Sequence, residues 1–127
     1  MAQKEITRVV LFTSGNTEAR LRKPFEELAQ ELKNELGKDR VRLAYVNNVT
    51  PSLAEVAEEA GNDGVTRLRI LPLFMAPGGP LEREIPEQVA VIRGQVPQIK
   101  IELLPSAGDH PRMRMLLHAL AREAANF

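Results

Sequence analysis

The chain contains no cysteine. Disulfide bonds and thiolate-held metal sites are therefore excluded, and a reducing compartment is compatible with the composition. Tryptophan is also absent and Tyr45 is the single tyrosine, so aromatic side chains for stacking a flat cofactor are scarce. No charge sign dominates: 17 Lys and Arg face 17 Asp and Glu, a formal net charge of +0. No global field draws such a chain toward nucleic acid or an anionic membrane surface. Nor is there a run of the ~20 apolar residues that a membrane span needs. The first residues, Met1 to Glu5, lead directly into strand-like sequence without the pattern of a signal peptide. Together these absences lead us to expect a cytoplasmic protein with neither nucleic-acid nor membrane partners. Its 127 residues, without repeats or Ser/Gly linkers, suit one domain with one core, spanning 1–127.

Strand and helix patterns alternate along the chain. Ile6 to Thr13 is rich in β-branched and apolar residues, as in a strand buried on both faces. Further strands are expected over Arg40–Val46, Val65–Phe74 and Ile99–Leu104. From about Pro24, Phe25, Leu28, Ala29, Leu32 and Leu36 recur at helical spacing up to Gly37. Pro24 suits the first turn of that helix rather than its interior, which makes residues 14–22 an open loop. Ser52-Leu53-Ala54-Glu55 has the spacing of a capping box and opens a helix that runs to Gly61. A third helix is expected from about Glu84 to Gln95. Met113, Leu116, Leu117, Leu120, Ala121 and Ala124 give the last helix one apolar stripe. Strands and helices joined by short connections imply parallel pairing through right-handed crossovers. The expected fold is an α/β three-layer sandwich with a four-stranded parallel sheet in flavodoxin-like order. Ligands of such sheets gather where the strands end, so the loops after the first three strands should share a binding rim.

Four segments stand out, in order. Val10-Leu11-Phe12-Thr13-Ser14-Gly15-Asn16 runs on to Pro24-Phe25-Glu26-Glu27-Leu28-Ala29. Val41 to Asn47 is followed by Pro51-Ser52-Leu53. Pro72-Leu73-Phe74-Met75-Ala76-Pro77-Gly78-Gly79-Pro80-Leu81-Glu82-Arg83-Glu84-Ile85-Pro86 places paired glycines and prolines between a strand and a helix. Gly108-Asp109-His110-Pro111 opens the last helix. This ordered set resembles the small class II tetrapyrrole chelatases, the sirohydrochlorin cobaltochelatases of cobalamin biosynthesis. The long segment matches their Pro-Leu-Phe-Leu-x-x-Gly-Gly-His-x-x-x-Asp-Ile-Pro almost position for position. The first is similar to their Gly-His-Gly-Ser-Arg loop and following Pro-Phe-Glu-x-Leu-Ala helix. The second resembles a strand ending in glutamate before Pro-Ser-Leu, and the last matches a Gly-x-His-Pro element. The resemblance implies a chelatase-like fold, a lyase activity that inserts divalent cobalt or iron as substrate ion into a sirohydrochlorin-type tetrapyrrole, and a homodimer of half-length domains.

Three positions depart from that pattern. Ser14 and Pro80 stand where the family has its metal-binding histidines, and Asn47 where it has the supporting glutamate. Near neutral pH an imidazole can both bind a divalent ion and accept a pyrrole proton. Ser and Asn are weak neutral oxygen ligands, and Pro carries no side-chain donor. The metal site is thus expected to be altered or lost, with two readings open. An active chelatase would use Glu82, Glu84 or His110 as substitutes; a noncatalytic relative would bind a tetrapyrrole or serve as a partner protein. His110 and His118 are eight residues apart, about 12 Å along one helix, too far to share an ion whose ligand nitrogens lie within ~4 Å. Gly15, Asn16, Arg20, Gly78, Gly79 and His110 are the candidate tetrapyrrole-binding residues. Arg20, Arg22, Lys23, Arg112 and Arg114 could pair with its carboxylates, although for any single one of them a solvated basic face is the better explanation. Ser14-Gly15-Asn16-Thr17 is also similar to the Thr-Gly-Asn-Thr loop with which flavodoxins cradle the FMN phosphate. The expected helix start at Pro24 and the shortage of aromatics speak against FMN.

Overall fold

The computed structural model describes residues 4–47, 49–76 and 78–126. Four strands, β1 (Thr7–Thr13), β2 (Val41–Tyr45), β3 (Arg67–Pro72) and β4 (Lys100–Leu103), alternate with the helices α1 (Ala19–Leu36), α2 (Leu53–Asn62) and α3 (Leu81–Gln95). After β4 a single 3-10 turn at Ala107–Asp109 leads into α4 (Pro111–Ala125). All strand pairs are parallel and their order is β2-β1-β3-β4. This is the flavodoxin-like order expected from the alternation of strand and helix, and each strand is a residue or more shorter than its apolar run.

β1 lies inside the sheet, and Val10, Leu11 and Phe12 are buried because both of its faces are covered. On one face Val10, Phe12, Ala44, Leu68 and Ile70 pack against Leu53, Val56, Ala57 and Ala60 of α2 and Ile85, Val89 and Ile92 of α3. On the other, Leu11 and Val41 meet Ala29 of α1, with Val9, Leu32, Leu43 and Leu71 partly buried around them. The second cluster is much the smaller, since α1 alone covers that face. Arg8, buried within β1, donates to the Asp39 carbonyl at 2.7 Å and pairs with Asp63 at 3.1 Å. A buried guanidinium requires such partners.

Two helices begin earlier than expected. α1 starts at Ala19, so residues 19–22 are helical rather than open loop, and Pro24 lies inside the helix. α3 starts at Leu81 rather than Glu84 and contains Pro86. In each the proline is the sixth helical residue. Lying beyond the four amides that lack intrahelical partners, each proline forfeits the bond to the carbonyl four residues back, at Arg20 and Glu82 respectively, a loss confined to the opening turns of the helix. The last helix departs in a different way: α4 forms, yet it buries no residue.

Candidate functional site

Because the strands are parallel and in register, β1, β2 and β3 end side by side at Thr13, Tyr45 and Pro72. Ser14, Asn47 and the Gly78-Gly79-Pro80 turn therefore leave from the same edge of the sheet, as the strand ends implied. The first two loops are tied together. The Gly15 amide donates to Asn47 Oδ1 at 3.1 Å, and the Val46 amide donates to the Thr13 carbonyl at 2.9 Å. A Cβ on Gly15 would stand 2.7 Å from Val49 Cβ and 3.1 Å from Tyr45 Cβ, so only glycine permits this approach. Ser14 is exposed. Asn16 organises the start of α1: its Oδ1 accepts from the Glu18 amide at 2.9 Å, and its carbonyl accepts from Arg22 Nη1 at 2.5 Å. Arg20, exposed, pairs with Glu18 at 3.3 Å.

The third loop is fixed at both ends. The Leu73 amide donates to the Phe12 carbonyl at 2.8 Å, and the Gly108 amide to the Phe74 carbonyl at 2.9 Å. A Cβ on Gly108 would fall 1.8 Å from the Met75 carbonyl oxygen. The glycine of the Gly-x-His-Pro element is thus required by the backbone running against it. Gly79 adopts a φ of 60°, in the left-handed region, and Pro80 then becomes the N-cap of α3. Gly78 and Gly79 face open space, with no atom within 4 Å of where a Cβ would be. Pro77 lies outside the described residues. Glu82 and Glu84 occupy the first turn of α3, where negative charge complements the helix dipole. Gln88 bridges elements: its Nε2 donates to Glu84 Oε1 at 3.2 Å and to the Val46 carbonyl at 2.9 Å. Gly79, Pro80, Glu82, Arg83, Glu84 and Glu87 line an open depression of about 620 Å³.

His110 is the N-cap of α4, and its Nδ1 accepts from the Arg112 amide at 3.0 Å. In the neutral imidazole that bond leaves the proton on Nε2. The ring borders an apolar cavity of about 500 Å³ with Leu71, Leu104, Pro105 and Met113, separate from the depression that Glu82 and Glu84 line. The three candidate substitutes are therefore not brought together. Among the described residues no group of three His, Asp or Glu side chains is placed to hold one metal ion. His118 is exposed further along α4.

Several contacts were not legible in the sequence. Neither the Asn47 to Gly15 bond nor the Gln88 bridge has a local signal, because their partners are 32 and 42 residues away. Tyr45 is 2% exposed. Burial pushes its phenol above the ordinary value, Glu26 adds to the rise and Arg22 opposes it. The start of α1 at Ala19 removes Pro24 as an objection to a phosphate cradle at Ser14 to Thr17. The buried Tyr45, however, cannot lie over an isoalloxazine. No helix among the described residues is long and apolar enough to cross a membrane.

Comparison with known proteins completes the picture. The sirohydrochlorin cobaltochelatase of Sulfurisphaera tokodaii is 28% identical over 103 residues, which are 80% of this chain and 82% of the relative. Among solved structures, a CbiX protein of Marinobacter aquaeolei assigned to cobalamin (vitamin B12) biosynthesis superposes with a TM-score of 0.81. Its sequence is 24% identical, and the match covers 96% of this chain and 97% of that one. SirB from Bacillus subtilis, solved with Fe3+, shares the fold at a TM-score of 0.69 and 13% identity, over 80% of this chain and 40% of its own. The CbiX family model matches residues 8–124. With the motif order, the sheet topology and a family match from the first strand to the last helix in agreement, this chain belongs to the CbiX family.

Proposed function

We propose that this protein is a cytoplasmic, homodimeric member of its family that binds a sirohydrochlorin-type tetrapyrrole at the strand-end rim, with the usual metal-handling chemistry altered or lost. The observation that carries this reading is the engagement of Asn47. At the position of the family's supporting carboxylate it holds an amide oxygen against the Gly15 N–H, 3.1 Å away. Asn47 then offers one remaining lone pair on a neutral amide oxygen, Ser14 a hydroxyl and Pro80 no side-chain donor. Divalent cobalt or iron, the substrate ions of a chelatase, are better held by imidazole and carboxylate. What remains suits a macrocycle: the open backbone of Gly78 and Gly79, the apolar cavity beside His110, and Arg20, Arg112 and Arg114 for carboxylate groups. A second reading, an active chelatase with relocated chemistry, is favoured by one feature. Glu82 and Glu84 line the open depression that begins at Pro80, where a carboxylate could accept a pyrrole proton.

The test is calorimetric titration with cobalt, sirohydrochlorin binding followed by absorbance, and an insertion assay. Wild type is expected to bind sirohydrochlorin, to retain no cobalt at micromolar concentration and to leave the insertion rate unchanged. The triple variant Ser14→His, Asn47→Glu, Pro80→His is expected to gain cobalt binding that the single variants lack. Insertion by wild type that Glu82→Ala or Glu84→Ala abolishes would establish the second reading instead.

A further inference from the structure

We propose that the groove between α1 and the outer edge of β2 is a binding site for a small aliphatic carboxylic acid, its carboxylate held by Arg22 and the Tyr45 hydroxyl and its chain lying on the apolar floor. The site does not depend on the tetrapyrrole reading. None of its lining residues borders the depression at Pro80 or the cavity beside His110.

β2 is the last strand on its side of the sheet. Val41 and Leu43 face α1 and pack toward Ala29, and the alternation of a strand puts Tyr45 on that same face. Above them Arg22, Glu26, Ala29, Gln30 and Lys33 recur at helical spacing as one stripe of α1. The two surfaces border a groove of about 720 Å³, with Val49, Thr50 and Pro51 at the Tyr45 end. That volume lies within the range of small-molecule sites. Arg42 walls the outer side, its guanidinium already held by Glu59 and Asp39.

Tyr45 is 2% exposed, yet its hydroxyl has no hydrogen-bond partner among the described residues. A buried phenol ordinarily finds one, and this one lines the groove. Burial keeps it neutral, so it remains a donor. Arg22 is half-buried and spends Nη1 on the Asn16 carbonyl. The ion pairs of α1 use Arg20 and Lys23 instead, which leaves Arg22 without a carboxylate partner among the described residues. Arg22 is also close enough for its charge to act on the phenol. The two donors can therefore converge on one carboxylate, a charge-assisted arrangement. Beyond them Ala29, Leu43, Val49 and Pro51 make an apolar floor, which suits an alkyl chain. Glu26 is the one carboxylate of the lining, and its charge opposes an anion there.

The test uses the full chain with octanoate as the probe. Tyr45 is the single tyrosine and tryptophan is absent, so phenol absorbance and fluorescence report this site alone. Octanoate should bind as one molecule per chain, roughly tenfold or more tighter than acetate, which lacks the chain, or octanol, which lacks the charge. It should also raise the pH at which the phenol ionises, because an anion beside it opposes a second negative charge. By calorimetry, Arg22→Gln should weaken octanoate roughly tenfold or more and Tyr45→Phe about threefold or more, while Glu26→Gln should tighten it. Lys33→Gln, about 16 Å along α1 from Arg22, should leave the affinity within about twofold. No saturable octanoate binding, equal binding of octanol, or binding indifferent to Arg22→Gln would overturn the proposal. So would a larger loss from Lys33→Gln than from Arg22→Gln, which would put the carboxylate at the other end of the groove. Sirohydrochlorin should bind alongside octanoate; displacement of one by the other would make the groove part of the tetrapyrrole rim and would overturn the separate site. Failure of sirohydrochlorin to bind would count against the tetrapyrrole reading only.

Discussion

A methyl group on Gly108 would lie 1.8 Å from the Met75 carbonyl oxygen, 2.3 Å from its carbonyl carbon and 2.4 Å from its Cα. Backbone cannot swing aside as a side chain can, so Gly108→Ala must push the Phe74–Met75 segment away from the turn before α4. Overpacking of this kind costs about 1–3 kcal/mol, and a fall of that size in unfolding free energy, read from urea denaturation, is the expected result. Tyr45 gives a pH signature. Its folded pKa lies above the unfolded value of 10.0, chiefly through burial. The stabilising effect of the neutral phenol is present below pH 10, and it is lost as pH rises through the folded value because the unfolded chain ionises first. Wild type should therefore lose thermal stability between pH 9 and 11 more steeply than Tyr45→Phe, checked by melting both across that range. Equal slopes would contradict the assignment.

At the scale of elements, local chemistry governs how helices start. The Ser52 hydroxyl accepts from the Glu55 amide at 3.1 Å, and the Glu55 carboxylate accepts from the Ser52 amide at 3.3 Å. This reciprocal pair was legible because it spans three residues. Ser52→Ala should cost about 0.5–2 kcal/mol of stability by urea titration, in the range of lost N-caps. The start of α1 was misjudged for a related reason. A proline marks where a helix cannot receive a bond, but not how many turns precede it. Before α1, Asn16 Oδ1 accepts from the amide of the N-cap residue Glu18, a local turn that precedes the helix, and α3 follows the turn that Gly79 makes with a φ of 60°. Neither is a proline signal. For α4 the apolar stripe was read correctly as a pattern, yet a pattern does not say what it faces, and here it faces outward.

Across the whole molecule, the positions expected to hold a metal ion come from three loops more than thirty residues apart in sequence. That is why the triple substitution is expected to succeed where single ones fail: a donor from one loop has no partner unless the other two change as well. The alternation of strand and helix and the parallel pairing follow from apolar runs, helical periodicity and short connections, and the strand order agrees with the flavodoxin-like order expected. They were legible from the chain alone. So were the chemical poverty of Ser14, Asn47 and Pro80 as ligands and the shared rim, because residue type and strand direction suffice for both. Tertiary structure decided the rest. It turned Asn47 toward Gly15, set Gly108 against Met75, buried Tyr45, parted His110 from Glu82 and Glu84, and left α4 uncovered. Each depends on distances between segments far apart in the chain, which local propensity does not encode and only packing sets.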